Sequence, residues 1–185
     1  MKPKTGWATQ ILLFGALGLS LVACTLTLSG RVNTISLASP PKQPLFIVIS
    51  QDSVSYRERM IVGLLEMKMS ERGFVKTSAS ESANVTVQYK YSIGPGRTEV
   101  SSSQDYVYGG KNVSSSTEYP RTFEIIVIDD ERSKASGKVE IIWQGEIYSS
   151  GSSSDMTLLA PNFIDVLYEN YGTTTTNKRF FRKLD

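Results

Sequence analysis

The stretch Val85-Thr86-Val87-Gln88-Tyr89-Lys90-Tyr91-Ser92-Ile93 alternates apolar and polar residues without a break. Successive side chains on a strand point to opposite faces, so this pattern predicts a strand with one buried and one wet face. Gly94-Pro95-Gly96 ends it sharply. Downstream, Phe123-Glu124-Ile125-Ile126-Val127-Ile128 is almost continuously apolar, which predicts a central strand. Residues 129–138 form a polar connection to the next strand. That strand sets Val139, Ile141, Trp143, Gly145 and Ile147 on one face and Gln144, Glu146 and Tyr148 on the other. The two strands make a long antiparallel hairpin, with Trp143 as the anchor of its buried side.

Working back, Leu45-Phe46-Ile47-Val48-Ile49 is a short run rich in β-branched residues and predicts a buried strand. Ser55-Tyr56-Arg57-Glu58 has capping-box spacing, in which hydroxyl and carboxylate satisfy each other's backbone donors. Behind it Ile61, Leu64, Leu65 and Lys68 share a helical face, widened by Met60 and Met67. Arg72-Gly73 closes that helix, and Phe74-Val75 starts a short strand. Toward the C-terminus Asp155 caps a second helix, Pro161 fits its first turn, and Phe163, Val166, Leu167 and Tyr171 share a face before Gly172 ends it. The expected fold is α+β: a mostly antiparallel sheet of four or five strands, with helices near residues 55–72 and 158–171 on one face. A parallel element, if present, is the crossover from residues 45–49 through the first helix.

Between these elements, residues 97–119 are rich in Ser, Gly and Tyr and keep only weak alternation, so a hairpin extension and an irregular loop both remain open. Tyr106, Tyr108 and Tyr119 are candidates for an aromatic contact surface; alternatively they cover the sheet edge. The end, Lys178-Arg179-Phe180-Phe181-Arg182-Lys183, reads as a solvated tail, a last edge strand, or a contact to anionic lipid headgroups.

Upstream of the domain, Lys2 and Lys4 precede an apolar run over residues 11–22. That is the length of a signal-peptide core and short of the roughly 20 residues that span a bilayer. Leu21-Val22-Ala23-Cys24 resembles the lipobox of bacterial lipoproteins. The resemblance implies cleavage between Ala23 and Cys24, diacylglycerol on the Cys24 sulfur and an acylated amino group. Each buried methylene adds about 0.8 kcal/mol, so several chains on one residue hold a protein almost permanently. Thr25 rather than Asp after the cysteine implies the outer membrane, with the domain facing the periplasm. An uncleaved inner-membrane anchor running on through Leu26 and Leu28 and an ordinary signal are the alternatives. The expected organisation is thus a signal peptide over residues 1–23, a tether over 24–44, one domain over 45–172 and a tail over 173–185.

Composition narrows the chemistry. Lys plus Arg number 20 and Asp plus Glu 18; without Lys2 and Lys4 the count is 18 against 18. A nucleic-acid partner needs a basic footprint, and none is expected. The single Cys rules out a disulfide within the chain, and the absence of His removes Ser-His-Asp and His-zinc chemistry. No motif calls for a cofactor or a metal.

The apolar strand ending in Asp129, the polar turn, Ile141-Ile142-Trp143-Gln144-Gly145 and the final helix together resemble a widespread family of small bacterial lipoproteins of unknown function. The helix ending in Arg72-Gly73-Phe74 and the strand over residues 85–91 are similar to that family's earlier half. Gln144 stands where the family has a basic residue, and the turn is longer and richer in Lys and Ser. The resemblance brings no catalytic residues.

Other chemistry is weak. Asp129-Asp130-Glu131 lacks the spacing of a calcium loop, and residues 149–154 lack the Gly-Lys-Ser/Thr of a phosphate loop. The expected function is a non-enzymatic envelope lipoprotein, held at the membrane through Cys24 and contacting another envelope component: a protein, peptidoglycan or lipid. The alternative is a cell-wall hydrolase using carboxylates.

Overall fold

The computed structural model describes residues 27–49, 55–79, 82–104 and 111–184. They form an α+β fold with three helices and a mixed eight-stranded sheet. In chain order the strands are β1 (Thr27–Ser36), β2 (Leu45–Ile49), β3 (Val75–Lys76), β4 (Val85–Ile93), β5 (Arg97–Gln104), β6 (Lys111–Asp129), β7 (Glu140–Gly151) and β8 (Thr175–Lys183). The helices are α1 (Tyr56–Glu71), α2 (Asp130–Ser136) and α3 (Met156–Glu169). The sheet order is β3-β2-β4-β6-β7-β1-β8, and β5 pairs with the first half of β6.

The expected four or five antiparallel strands are therefore too few, and the sheet is mixed. β2 runs parallel to both β3 and β4, with α1 as the connection. Residues 27–36, expected within a tether, are β1, seated between β7 and β8. Thr and Ser alternating with Leu28 and Val32 resemble a linker in composition, yet both apolar side chains are buried. The last residues are an edge strand, with Phe180 turned into the core. The stretch after Gly96 is a two-stranded arm, β5 with β6, and its tip lies outside the described residues.

The central strand is β6. Phe123, Ile125 and Val127 are fully buried, each contributing about 1.5–3 kcal/mol by leaving water. α1 and α3 cover this face, as expected. Ile61, Leu65 and Met69 of α1 are buried, whereas the expected core residue Met67 is 47% exposed. Ser55 caps α1 by accepting a hydrogen bond from the Glu58 N–H at 3.1 Å. Asp155 caps α3 in the same way, accepting from Thr157 at 2.9 Å. Pro161 sits one turn deeper than expected, inside α3, where its ring removes a backbone donor.

Two local features have no periodic signature. Residues 130–136 are helical because Asp129 accepts from the Arg132 N–H and Gly137 takes the left-handed turn at φ 70°. In β7 a register shift opposite Val127 and Ile128 buries both Ile142 and Trp143, breaking the expected alternation and leaving Val139 exposed. The Trp143 indole then lies over Gly145. A Cβ there would stand 2.5 Å from the ring and 2.8 Å from Leu167, so only glycine fits.

Candidate functional site

Because α1 and α3 take one face, the opposite face of the sheet is left open by the described residues. Its side chains are the polar partners of the core residues: Gln88 and Lys90 on β4, Glu124 on β6, Gln144, Glu146 and Tyr148 on β7, and Arg31 and Asn33 on β1. Tyr148 is 46% exposed here. Glu146 lies beside its hydroxyl, and this carboxylate neighbour raises the Tyr148 pKa.

A groove of about 450 Å³ crosses this face where β7, β1 and the start of β8 meet. Asn33, Gln144, Glu146 and the residues 174–177 line it, with Ile35 as the apolar wall. Asn177 takes a positive φ of 51°, which an Asn tolerates, and its N–H donates to the Asn33 side chain at 2.7 Å. The groove offers amide, hydroxyl and carboxylate groups, a set suited to hydrogen-bonding a polar ligand.

Glu124 stands directly opposite Glu146 on the neighbouring strand. Although on the open face it is 5% exposed, because Lys90 pairs with it at 2.5 Å and Gln144 donates to it at 2.5 Å. This carboxylate is therefore taken up by two partners. Among the described residues no cluster of three or more Cys, Asp or Glu is arranged to hold a metal ion. Asp129 is the α2 cap, and Asp130 accepts from Thr86 at 2.8 Å.

On the helix side, Glu58 turns inward at the start of α1 and accepts hydrogen bonds from Tyr89 and, at 2.9 Å, from Tyr91. Burial and this carboxylate both raise the Tyr91 pKa, while Arg57 beside the hydroxyl opposes them. Capping-box spacing accounts for Glu58 only as a cap; the inward tyrosines Tyr89 and Tyr91, two apart on β4, are the available signal for its second role.

At the far end of the helices Arg72 lies 5.0 and 5.3 Å from the ring centres of Tyr168 and Tyr171 and donates to the Tyr168 carbonyl. Burial pushes Tyr171 up to about 12 against the pull of Arg72. Beside these rings a cavity of about 340 Å³ opens between residues 36–40, Trp143 and Tyr171. The Trp143 indole N–H has no hydrogen-bond partner among the described residues.

Of the residues singled out from sequence, Ala23, Cys24, Tyr106 and Tyr108 lie outside the described residues. Tyr119 is described: half-buried at the root of the arm, its ring lies where a Cβ on Gly96 would stand 2.8 Å away. There it is part of the junction between arm and sheet. Next to it Arg121 is buried against Gly151, and this burial lowers its pKa.

No protein-family model and no curated protein sequence matches this chain. Solved structures match it at low identity. A PDZ domain protein from Parabacteroides distasonis is 13% identical with a TM-score of 0.55; the match covers 84% of this chain and only 38% of that protein. A DUF4136 family protein from Bacteroides thetaiotaomicron is 14% identical with a TM-score of 0.46, over 79% of this chain and 98% of that one. PelC from Paraburkholderia phytofirmans, solved as a dodecamer, is 14% identical with a TM-score of 0.43, over 75% of this chain and 93% of that one. At such identities the likeness concerns the fold alone.

Proposed function

We propose that this chain is a non-enzymatic lipoprotein of the bacterial envelope. Acyl groups on Cys24 hold it at the outer membrane, and the open sheet face contacts another envelope component, a protein or peptidoglycan. One observation carries the contact half of this reading: the helix-free face holds the hydrogen-bonding groove at Asn33, Gln144 and Glu146, with Tyr148 exposed one pair further along. Polar groups at such a surface favour specificity over raw affinity. The resemblance of Leu21-Val22-Ala23-Cys24 to a lipobox supports the anchoring half.

The second reading, a hydrolase working through carboxylates, rests on Glu124 facing Glu146. It is disfavoured because Lys90 and Gln144 occupy Glu124, and of the pair Glu146 alone lines the groove. The test is photo-crosslinking in intact cells from Gln144 and Tyr148, with Glu71 on the helix layer as control. Adducts with a distinct envelope component from the two open-face positions alone support contact through this face. Equal adducts from Glu71, or none anywhere, overturn it. Turnover of cell-wall glycan that disappears with Glu146→Gln decides for the hydrolase.

A further inference from the structure

The strand β8 carries four cations, and the fold sorts them by face. Lys178 and Arg182 point toward the helices and are engaged: Lys178 donates to the Asn170 side chain at 2.8 Å, and Arg182 pairs with Glu169. Arg179 and Lys183 point to the open side, where Arg179 lies directly opposite Arg31 of β1. None of Arg31, Arg179 and Lys183 forms an ion pair with a described residue. Two like charges placed opposite each other on neighbouring strands destabilise the pair. Between them and Lys183 stands Phe181, 71% exposed, opposite Ser29. Edge strands carry lysines and arginines to prevent sheet-to-sheet pairing, but that purpose has no use for an exposed phenylalanine.

The position of this patch tells what it meets. β1 begins at Thr27, which pairs with Lys183. Only two residues, Thr25 and Leu26, separate Cys24 from Thr27, so the span is at most about 10 Å of chain. Residues 27–36 of the expected tether lie in β1, so an acylated Cys24 places Lys183, Phe181 and Arg179 within reach of the headgroups. Cations near an anionic leaflet and an aromatic ring at the interface are the chemistry of membrane seating.

We infer that the β1–β8 edge, through Arg31, Arg179, Lys183 and Phe181, seats this domain on an anionic phospholipid bilayer. The inference rests on the anchor proposed above and fixes the orientation that the anchor leaves free. Each cation near an anionic surface is worth about a fivefold shift, so all three together favour the seated domain by about a hundredfold over neutral lipid.

The full chain, purified with its modifications, is incorporated into vesicles of phosphatidylcholine alone or with three-tenths phosphatidylglycerol, each doped with a nitroxide headgroup quencher. A fluorophore is placed at Ser150→Cys, beside Ser29, or at Gln88→Cys on the far side of the same face. Quenching at 150 well above that at 88, only in anionic vesicles and abolished by 0.5 M salt or by Arg31→Ser/Arg179→Ser/Lys183→Ser, is the expected result. Equal quenching at both positions, or none at 150 while the chain stays on the vesicles, overturns it. So does release of the 150 label by heparin at constant ionic strength, which would assign the patch to an anionic polymer. The mass of the Cys24 peptide is read in parallel. An unmodified thiol and no binding to neutral vesicles overturn the anchor alone, since the patch still shows as binding to anionic vesicles.

Discussion

On one flank of the sheet β2 and β3 run parallel to β4 under α1, with Phe46 fully buried and Phe74 packed edge-on against it at 6.4 Å between ring centres. On the other flank β1 and β8, drawn from the two ends of the described chain, lie antiparallel and carry Ser, Thr, Asn, Lys and Arg. Here burial is confined to Leu28, Val32, Thr34 and Phe180, all on the helix side. The first flank contributes apolar burial; the second contributes a hydrogen-bonded ladder whose outer face is left free for contact. One sheet thus divides stability from surface chemistry, and the division can be broken by substitution.

The largest effect belongs to the first flank. Phe46→Ala removes a fully buried ring and is expected to cost about 3–5 kcal/mol, read from the urea midpoint, whereas Phe180→Ala on β8 should cost about 2–3. Equal losses would erase the distinction. At the junction between the flanks, Gly145→Ala forces a methyl into the Trp143 indole and should cost about 1–3 kcal/mol.

A pH series sharpens the comparison further. Burial holds the Tyr171 phenol neutral up to about 12, while an unfolded tyrosine ionises near 10. The unfolded chain therefore binds fewer protons between those values. Stability is full below pH 10 and falls as pH rises toward 12, by at most about 1.4 kcal/mol per unit for this residue. Tyr171→Phe should flatten that part of the curve; an unchanged slope would refute the burial assignment. The smallest expected effect is on the outer face of β8. Arg179→Ser should move stability by no more than about 0.5 kcal/mol, and a larger loss would show the edge to be structural.

The flanks also differ in how well the residues announce them. The alternation in 85–93, the apolar run in 123–128, the capping Ser55 and Asp155 and the parallel crossover through α1 are all readable, because burial there repeats with the period of its element. β1 is not, since Thr27, Ser29, Arg31 and Asn33 face outward and only Leu28 and Val32 mark the inner side. Ten residues with two apolar anchors look like linker until a partner strand is supplied. α2 escapes because it buries no residue, so only Asp129 and Gly137 announce it. The groove escapes because its β1 wall stands more than a hundred residues in sequence from its walls on β7 and the turn into β8. Nothing near Glu124 in sequence announces its ion pair, because Lys90 reaches it from a strand that only the pairing identifies.

Amide hydrogen exchange on the full chain, resolved over residues 31–36, tests most directly that the fold begins beside Cys24. As a strand held between β7 and β8, β1 should exchange as slowly as the β8 residues paired with it and orders of magnitude slower than a solvated linker. Exchange of these amides at the rate of an unfolded peptide, with β6 still protected, would contradict the account and leave both the flank and its membrane seat without support.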